Sequence, residues 1–131
     1  MKLLNKIAVS LVMAASMLTV SSATFAAAEH KDLNAIVLKA GENTEASLLE
    51  AKKLLTEGAT TDQIQKALND ARQFQKEFRY EQTERLRQKL NDKLSSARKA
   101  FDNNDNTKAL EDVNAAIAYY AEMKKIYAAA H

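Results

Sequence analysis

His30 and His131 are the only imidazoles in the 131-residue chain, and there is no cysteine. Both lie within three residues of an end of the expected mature chain, so no histidine is placed to act as a buried base, and no thiolate nucleophile exists. Ser47, Ser95 and Ser96 have no base near them in sequence. Carboxylates are plentiful, but Glu50, Glu57, Asp70, Glu77, Glu81, Glu84, Asp92 and Glu111 fall on polar helix positions or in turns. That is the pattern of a solvated face, and a di-iron centre would need inward Glu-x-x-His pairs, which the sequence lacks. The expectation is a protein that is not an enzyme. One chemistry remains, and it sits at the two ends. Glu29, His30 and Asp32 open the mature chain, and His131 closes it with a terminal carboxylate. Imidazoles and carboxylates together suit Cu(II), Ni(II) or Zn(II). If processing leaves Ala28 first, the amino group, two backbone nitrogens and His30 form a square-planar copper site. The alternative is two frayed terminal histidines in water.

Such a site exists only if the fold carries both ends to one place. Lys2 and Lys6 precede an apolar run, Ile7 to Val20, followed by small residues, SSATFAAA; residues 1–28 therefore read as a secretory signal peptide. The run is short for a membrane span. Cleavage fits after Ala26 or Ala28, and the expected address is periplasmic, with no stable membrane insertion after cleavage. With no disulfide available, the remaining domain, 29–131, must be held by its core. All 17 acidic residues lie beyond residue 28, and removing Lys2 and Lys6 from the 19 basic ones leaves 17, so the domain is electrically balanced. That balance, with no basic stripe, argues against a nucleic-acid partner.

The elements come from periodicity. Leu48 to Phe78 reads as helix, Gly-containing turn and helix, and a shift of 46 residues lays it on Leu94 to Lys124 with Leu48/Leu94, Ala51/Ala97, Lys53/Lys99 and Thr61/Thr107 identical. The same shift pairs Leu54/Ala100, Leu55/Phe101, Ile64/Leu110, Ala67/Val113, Ala71/Ile117 and Phe74/Tyr120 without a gap. An internal duplication is expected. The fold class that follows is all-α, an up-down-up-down four-helix bundle of two duplicated hairpins, about 31–79 and about 83–127. That topology brings both chain ends to one end of the bundle.

In the first helix Leu33, Val37, Ala40, Thr44, Ser47/Leu48, Ala51 and Leu54/Leu55 share a face. Gly41 is its weak point, because Gly in a helix interior costs about 1 kcal/mol relative to Ala, and a bend or a late start is expected there. Gly58 is suited to a left-handed C-terminal cap, and Thr60 with Gln63 forms a capping box for the second helix. Ile64, Ala67, Leu68, Ala71, Phe74 and Phe78 make the second stripe, and Phe74→Ala is expected to cost about 3–5 kcal/mol. Between Phe78 and Leu86 the stripe lapses with neither Gly nor Pro to force a turn. A break there gives a closed monomer; continuous helix over residues 62–101 gives a rod of roughly 60 Å suited to a swapped dimer. Closure is the expectation, since a domain this small gains most from its own core. Leu86, Leu90, Leu94, Ala97 and Ala100/Phe101 carry the third helix. In the turn Asp102 to Thr107, Asn accepts a left-handed conformation and Asn106 or Thr107 caps the fourth helix, whose stripe is Leu110, Val113, Ile117, Tyr120 and Tyr127, with Ala109, Ala116 and Met123 beside the seam. Tyr119 and Tyr120 point about 100° apart, so only one can face the core fully.

The segments Thr61-Asp62-Gln63-Ile64 and Ala67-Leu68-Asn69-Asp70-Ala71, with Asn106-Thr107-Lys108-Ala109-Leu110 and Asn114-Ala115-Ala116-Ile117, resemble the small metal-binding protein family of secreted, duplicated helical hairpins. The resemblance implies the same bundle and binding of divalent metals, copper in particular. That family's helical histidines are absent here, which leaves His30 and His131, with Glu29 and Asp32, to carry the chemistry. In length and hairpin pattern the chain is also similar to the b-type periplasmic cytochromes. Their haem is held by a Met on the first helix and a His on the last; here the first helix has no Met, and Met123 reads as core filler. The competing class is a periplasmic interaction or envelope-stress chaperone-like protein, whose partner surface would lie near Tyr119 or the 79–85 linker.

Overall fold

The computed structural model describes residues 33–131, and Ile36–His131 form one compact unit. The expected signal peptide, and with it Glu29, His30 and Asp32, lies outside the described residues. The described residues form an all-α four-helix bundle: α1 Leu33–Glu57, α2 Thr61–Gln75, a short 3-10 turn Glu81–Thr83, α3 Glu84–Asp102 and α4 Asn106–Ala130. The core is a single cluster fed by all four helices, with Leu48, Ala51, Leu68, Ala71, Leu90, Leu94, Ala97, Val113, Ala116 and Met123 essentially sealed from water. Met123 is the core filler that its sequence position suggested.

The turn chemistry recurs in both hairpins, in a register that differs in part from the expected one. Gly58 (φ 69°) and Asn104 (φ 62°) are the left-handed residues that close α1 and α3, and they stand 46 residues apart. Each is followed by the same hydrogen bond, Ala59 N–H to the Leu54 carbonyl (3.0 Å) and Asp105 N–H to the Ala100 carbonyl (2.8 Å), the six-to-one bond that ends a helix around a left-handed residue. The hairpins then diverge by one residue. In the first, Thr60 caps α2 through the expected capping box with Gln63. In the second, Asp105 closes α3 and also caps α4, its side chain accepting from Lys108 N–H at 3.0 Å. Asp105, rather than Asn106 or Thr107, is the cap, and it is 45 residues from Thr60. From there the buried positions match at 45, pairing Ile64/Ala109, Leu68/Val113, Ala71/Ala116 and Gln75/Tyr120. The ungapped shift of 46 holds for α1 against α3 and not for α2 against α4.

Two expectations about helix interiors also change. Helix α1 runs through Gly41 without interruption. A methyl group built on Gly41 would stand 2.7 Å from the Tyr120 hydroxyl and 3.2 Å from Phe78 Cε2, so Gly41 is the place where α4 and the end of hairpin one close onto α1. Gly41→Ala is expected to destabilise by about 1–2 kcal/mol, the overpacking cost outweighing the better helix propensity. Adding Tyr120→Phe should return part of the loss in thermal denaturation. If Gly41→Ala raised the melting temperature, the close approach would not exist.

The second change concerns Phe74, which is only half-buried. The polar Gln75 (2 % exposed) takes the next inward position, and the ring that seals this end is Phe78 (2 %), just past α2. Lys76 to Tyr80 are not helical, so the linker breaks as expected for a closed bundle. The break is held by polar groups. Gln75 Nε2 donates to the Arg72 carbonyl (2.8 Å) and Asn91 Oδ1 (3.3 Å), and Gln75 Oε1 accepts from Arg87 (3.0 Å). Arg87 in turn grips Glu84 at 2.6 and 2.9 Å. The buried Thr83 hydroxyl donates to the Tyr80 carbonyl at 2.9 Å.

Candidate functional site

The end of α4 is the place where the sequence predicted chemistry. Helix α4 continues to Ala130, three residues beyond the expected boundary, and delivers His131 onto an aromatic cluster. The His131 ring stacks on Tyr127, with centroids 4.0 Å apart and planes 17° apart, and meets Tyr80 edge-on at 5.1 Å. Behind it, Phe78 packs edge-to-face against Tyr127 (5.5 Å) and Tyr120 (6.1 Å). His131 Nδ1 lies 3.0 Å from the Tyr127 carbonyl. A carbonyl only accepts, so Nδ1 carries the proton and donates, and the lone pair resides on Nε2. The same bond satisfies a carbonyl of the last turn of the helix. His131 is therefore a positioned imidazole rather than a frayed end. Burial holds the Tyr127 phenol above its ordinary pKa, with Tyr80 adding to the shift. Burial also pushes Tyr120 up to about 12, helped by Glu45 and Glu42, so these two phenols stay neutral at any ordinary pH.

Of the four residues expected to bind metal, His131 alone is within the described residues. Among these, no three His, Cys, Asp or Glu side chains converge on one point. One nitrogen does not hold a divalent ion tightly, so an ion at Nε2 would depend on Glu29, His30 and Asp32 for its other ligands. Cavities bounded by described residues include the following pair. One, of about 310 Å³, lies between the two interhelical turns against Thr61, Phe101, Asp102, Asn104 and Asn106; the other, of about 170 Å³, lies between α1 and α2. Neither is lined by a histidine.

A second charged site went unread in the sequence. Asp112 is 1 % exposed and lies between α3 and α4. Its Oδ2 accepts from the Ser96 hydroxyl at 2.6 Å, its Oδ1 accepts from Lys108 Nζ at 2.9 Å, and Lys93 Nζ stands 3.8 Å away. Burial pushes the Asp112 carboxyl up, but the Ser96 and Lys108 hydrogen bonds and the charges of Lys108 and Lys93 outweigh it and hold the carboxyl below its ordinary pKa. Lys108 is raised, chiefly by its hydrogen bond to Asp112. Ser96 is a donor here, its hydroxyl proton directed at the Asp112 carboxylate. The legible signal was position: Asp112 sits between Ala109 and Ala116 on the inward stripe, beside Val113.

The apolar surface is on α1 rather than near Tyr119. Leu33 (69 %), Ile36 (46 %), Leu38 (51 %) and Leu49 (50 %) are exposed. Tyr120 takes the core position (4 %), and the half-buried Tyr119 has Lys89 Nζ 6.0 Å above its ring. No helix among the described residues is long and apolar enough to cross a membrane. Compared with protein-family models, with characterised proteins and with solved structures, the chain matches none.

Proposed function

We propose that the chain is an exported, non-enzymatic binding protein whose ligand is a divalent metal ion of the copper type, held at the bundle end that carries His131. The observation that supports this reading is the state of His131: its ring is fixed by Tyr127 and Tyr80, and its Nδ1 proton is committed to the Tyr127 carbonyl. A fixed imidazole with its lone pair on Nε2 loses little freedom on binding an ion. On this reading Glu29, His30 and Asp32, which the sequence offers as further nitrogen and oxygen donors, complete the ligand set.

The test is calorimetric titration of Cu(II), Ni(II) and Zn(II) into protein purified after export of the full chain, beside His131→Ala and His30→Ala. Micromolar or tighter binding that weakens at least about tenfold in each variant is expected. Heat no greater than that of an ordinary free amino terminus, or binding unchanged in His131→Ala, overturns the reading. The second reading, a protein-interaction or chaperone-like role, is favoured by the exposed leucines of α1. Leu38→Glu with Leu49→Glu should then leave the fold intact while abolishing suppression of aggregation of a reduced, unfolding client protein.

A further inference from the structure

The Asp112 cluster has a counterpart in hairpin one that carries different chemistry. With α1 matched to α3 at 46 residues and α2 to α4 at 45, Ser96 corresponds to Glu50, Lys93 to Ser47, Lys108 to Gln63 and Asp112 to Ala67. Glu50, Gln63 and Ala67 do come together in hairpin one, where they line the cavity of about 170 Å³ between α1 and α2. Asp70, one turn further along α2 and held by Lys66 at 2.7 Å, lines the same cavity; at the four matched positions each hairpin carries one carboxylate. It comes from the first helix in hairpin one (Glu50) and from the second in hairpin two (Asp112).

We infer that this exchange is a pairing code that keeps the helices of the two duplicated hairpins, within a molecule or between two copies of it, from substituting for one another. A duplicated bundle has that hazard built in, because its hairpins share turn geometry and buried positions. Pairing α1 with α4 in hairpin geometry would set Glu50 against the sealed Asp112 and remove both Ser96 and Lys93, putting two carboxylates where one is neutralised now. Like charges so placed disfavour the pair strongly. Pairing α3 with α2 would set Ala67 in the place of Asp112, so Ser96 and Lys93 would lose that carboxylate, and Asp70, one turn away, is already held by Lys66. The correct pairings alone match one carboxylate with its donors or with open water.

The full chain tests this by transplanting the α1 surface onto α3. Lys93→Ser with Ser96→Glu recreates the forbidden pairing inside hairpin two, and a lower melting temperature is expected. Adding Asp112→Ala converts hairpin two to the code of hairpin one and should recover most of that loss. In this triple variant helices become exchangeable, so refolding at high protein concentration should raise the dimer-to-monomer ratio, by light scattering on a sizing column, roughly tenfold over the wild type, equivalent to about 1.4 kcal/mol of lost discrimination. A double variant as stable as the wild type, or a triple variant that fails to recover, overturns the code. So does a triple variant whose dimer ratio equals that of the wild type.

Discussion

Replacing Phe78 by alanine should remove about 3–5 kcal/mol of stability and lower the melting temperature by roughly 15–30 °C, an effect large enough to leave the domain partly unfolded at growth temperature. Phe78 is 2 % exposed and packs edge-on against Tyr120 and Tyr127. Its ring also lies 3.2 Å from where a side chain at Gly41 would begin, closer than ordinary van der Waals contact. The substitution thus opens a hole where α1, α4 and the inter-hairpin linker meet, and such rigid, multiply bounded sites relax poorly around a cavity. Phe74→Ala is the control. Phe74 is half-buried, and its loss should cost well under half as much. Chemical denaturation of the two variants side by side reads the difference, and equal losses would mean that Phe78 is not the seal.

Asp112→Ala should cost about 2 kcal/mol, because it strips acceptors from Ser96 and leaves Lys93 and Lys108 facing each other without an anion. Asp112→Asn, which keeps the shape and one acceptor, should cost less. The pH dependence has a definite sign. The folded state holds the Asp112 carboxyl below its unfolded value, so its contribution is complete above about pH 4 and is lost as pH falls through the depressed folded value. Denaturation midpoints measured from pH 7 down to pH 2 should fall more steeply for the wild type than for Asp112→Asn in that acid window. Parallel curves would show that the cluster stabilises nothing.

Much of the bundle was legible because it is written in local chemistry. Gly58, the Thr60/Gln63 box and a left-handed asparagine in the second turn are features that neighbouring residues settle among themselves. The stripes of α1 and α3 read correctly from Val37 to Leu55 and from Leu90 to Ala97, because a 3.6-residue period admits few choices of face, whereas Leu33 is exposed at the start of α1. Identities misled where composition was monotonous. Thr61 matched Thr107 by chance of an alanine-rich helix, and the one-residue shortening of the second turn, in which Asp105 serves two helices, rotated the inward face of α4 onto Ala109, Ala116 and Met123. The candidate site was half legible: the sequence pointed to His131, and Tyr80 and Tyr127 gave no sign that they would stack around it.

The sequence by itself determined four amphipathic helices, two left-handed turns and a repeat, since each rests on hydrogen bonds and side-chain periodicities spanning only a few residues. Tertiary structure alone decided the role of three residues. Gly41 became a close approach between helices instead of a helix fault, Gln75 became buried because Arg87 and Asn91 arrive to satisfy it, and Asp112 became a sealed charge because Ser96 and Lys93 come from another helix. A glycine, an amide or a carboxylate is unfavourable in a helix core on its own account. Only a partner distant in sequence reverses that sign.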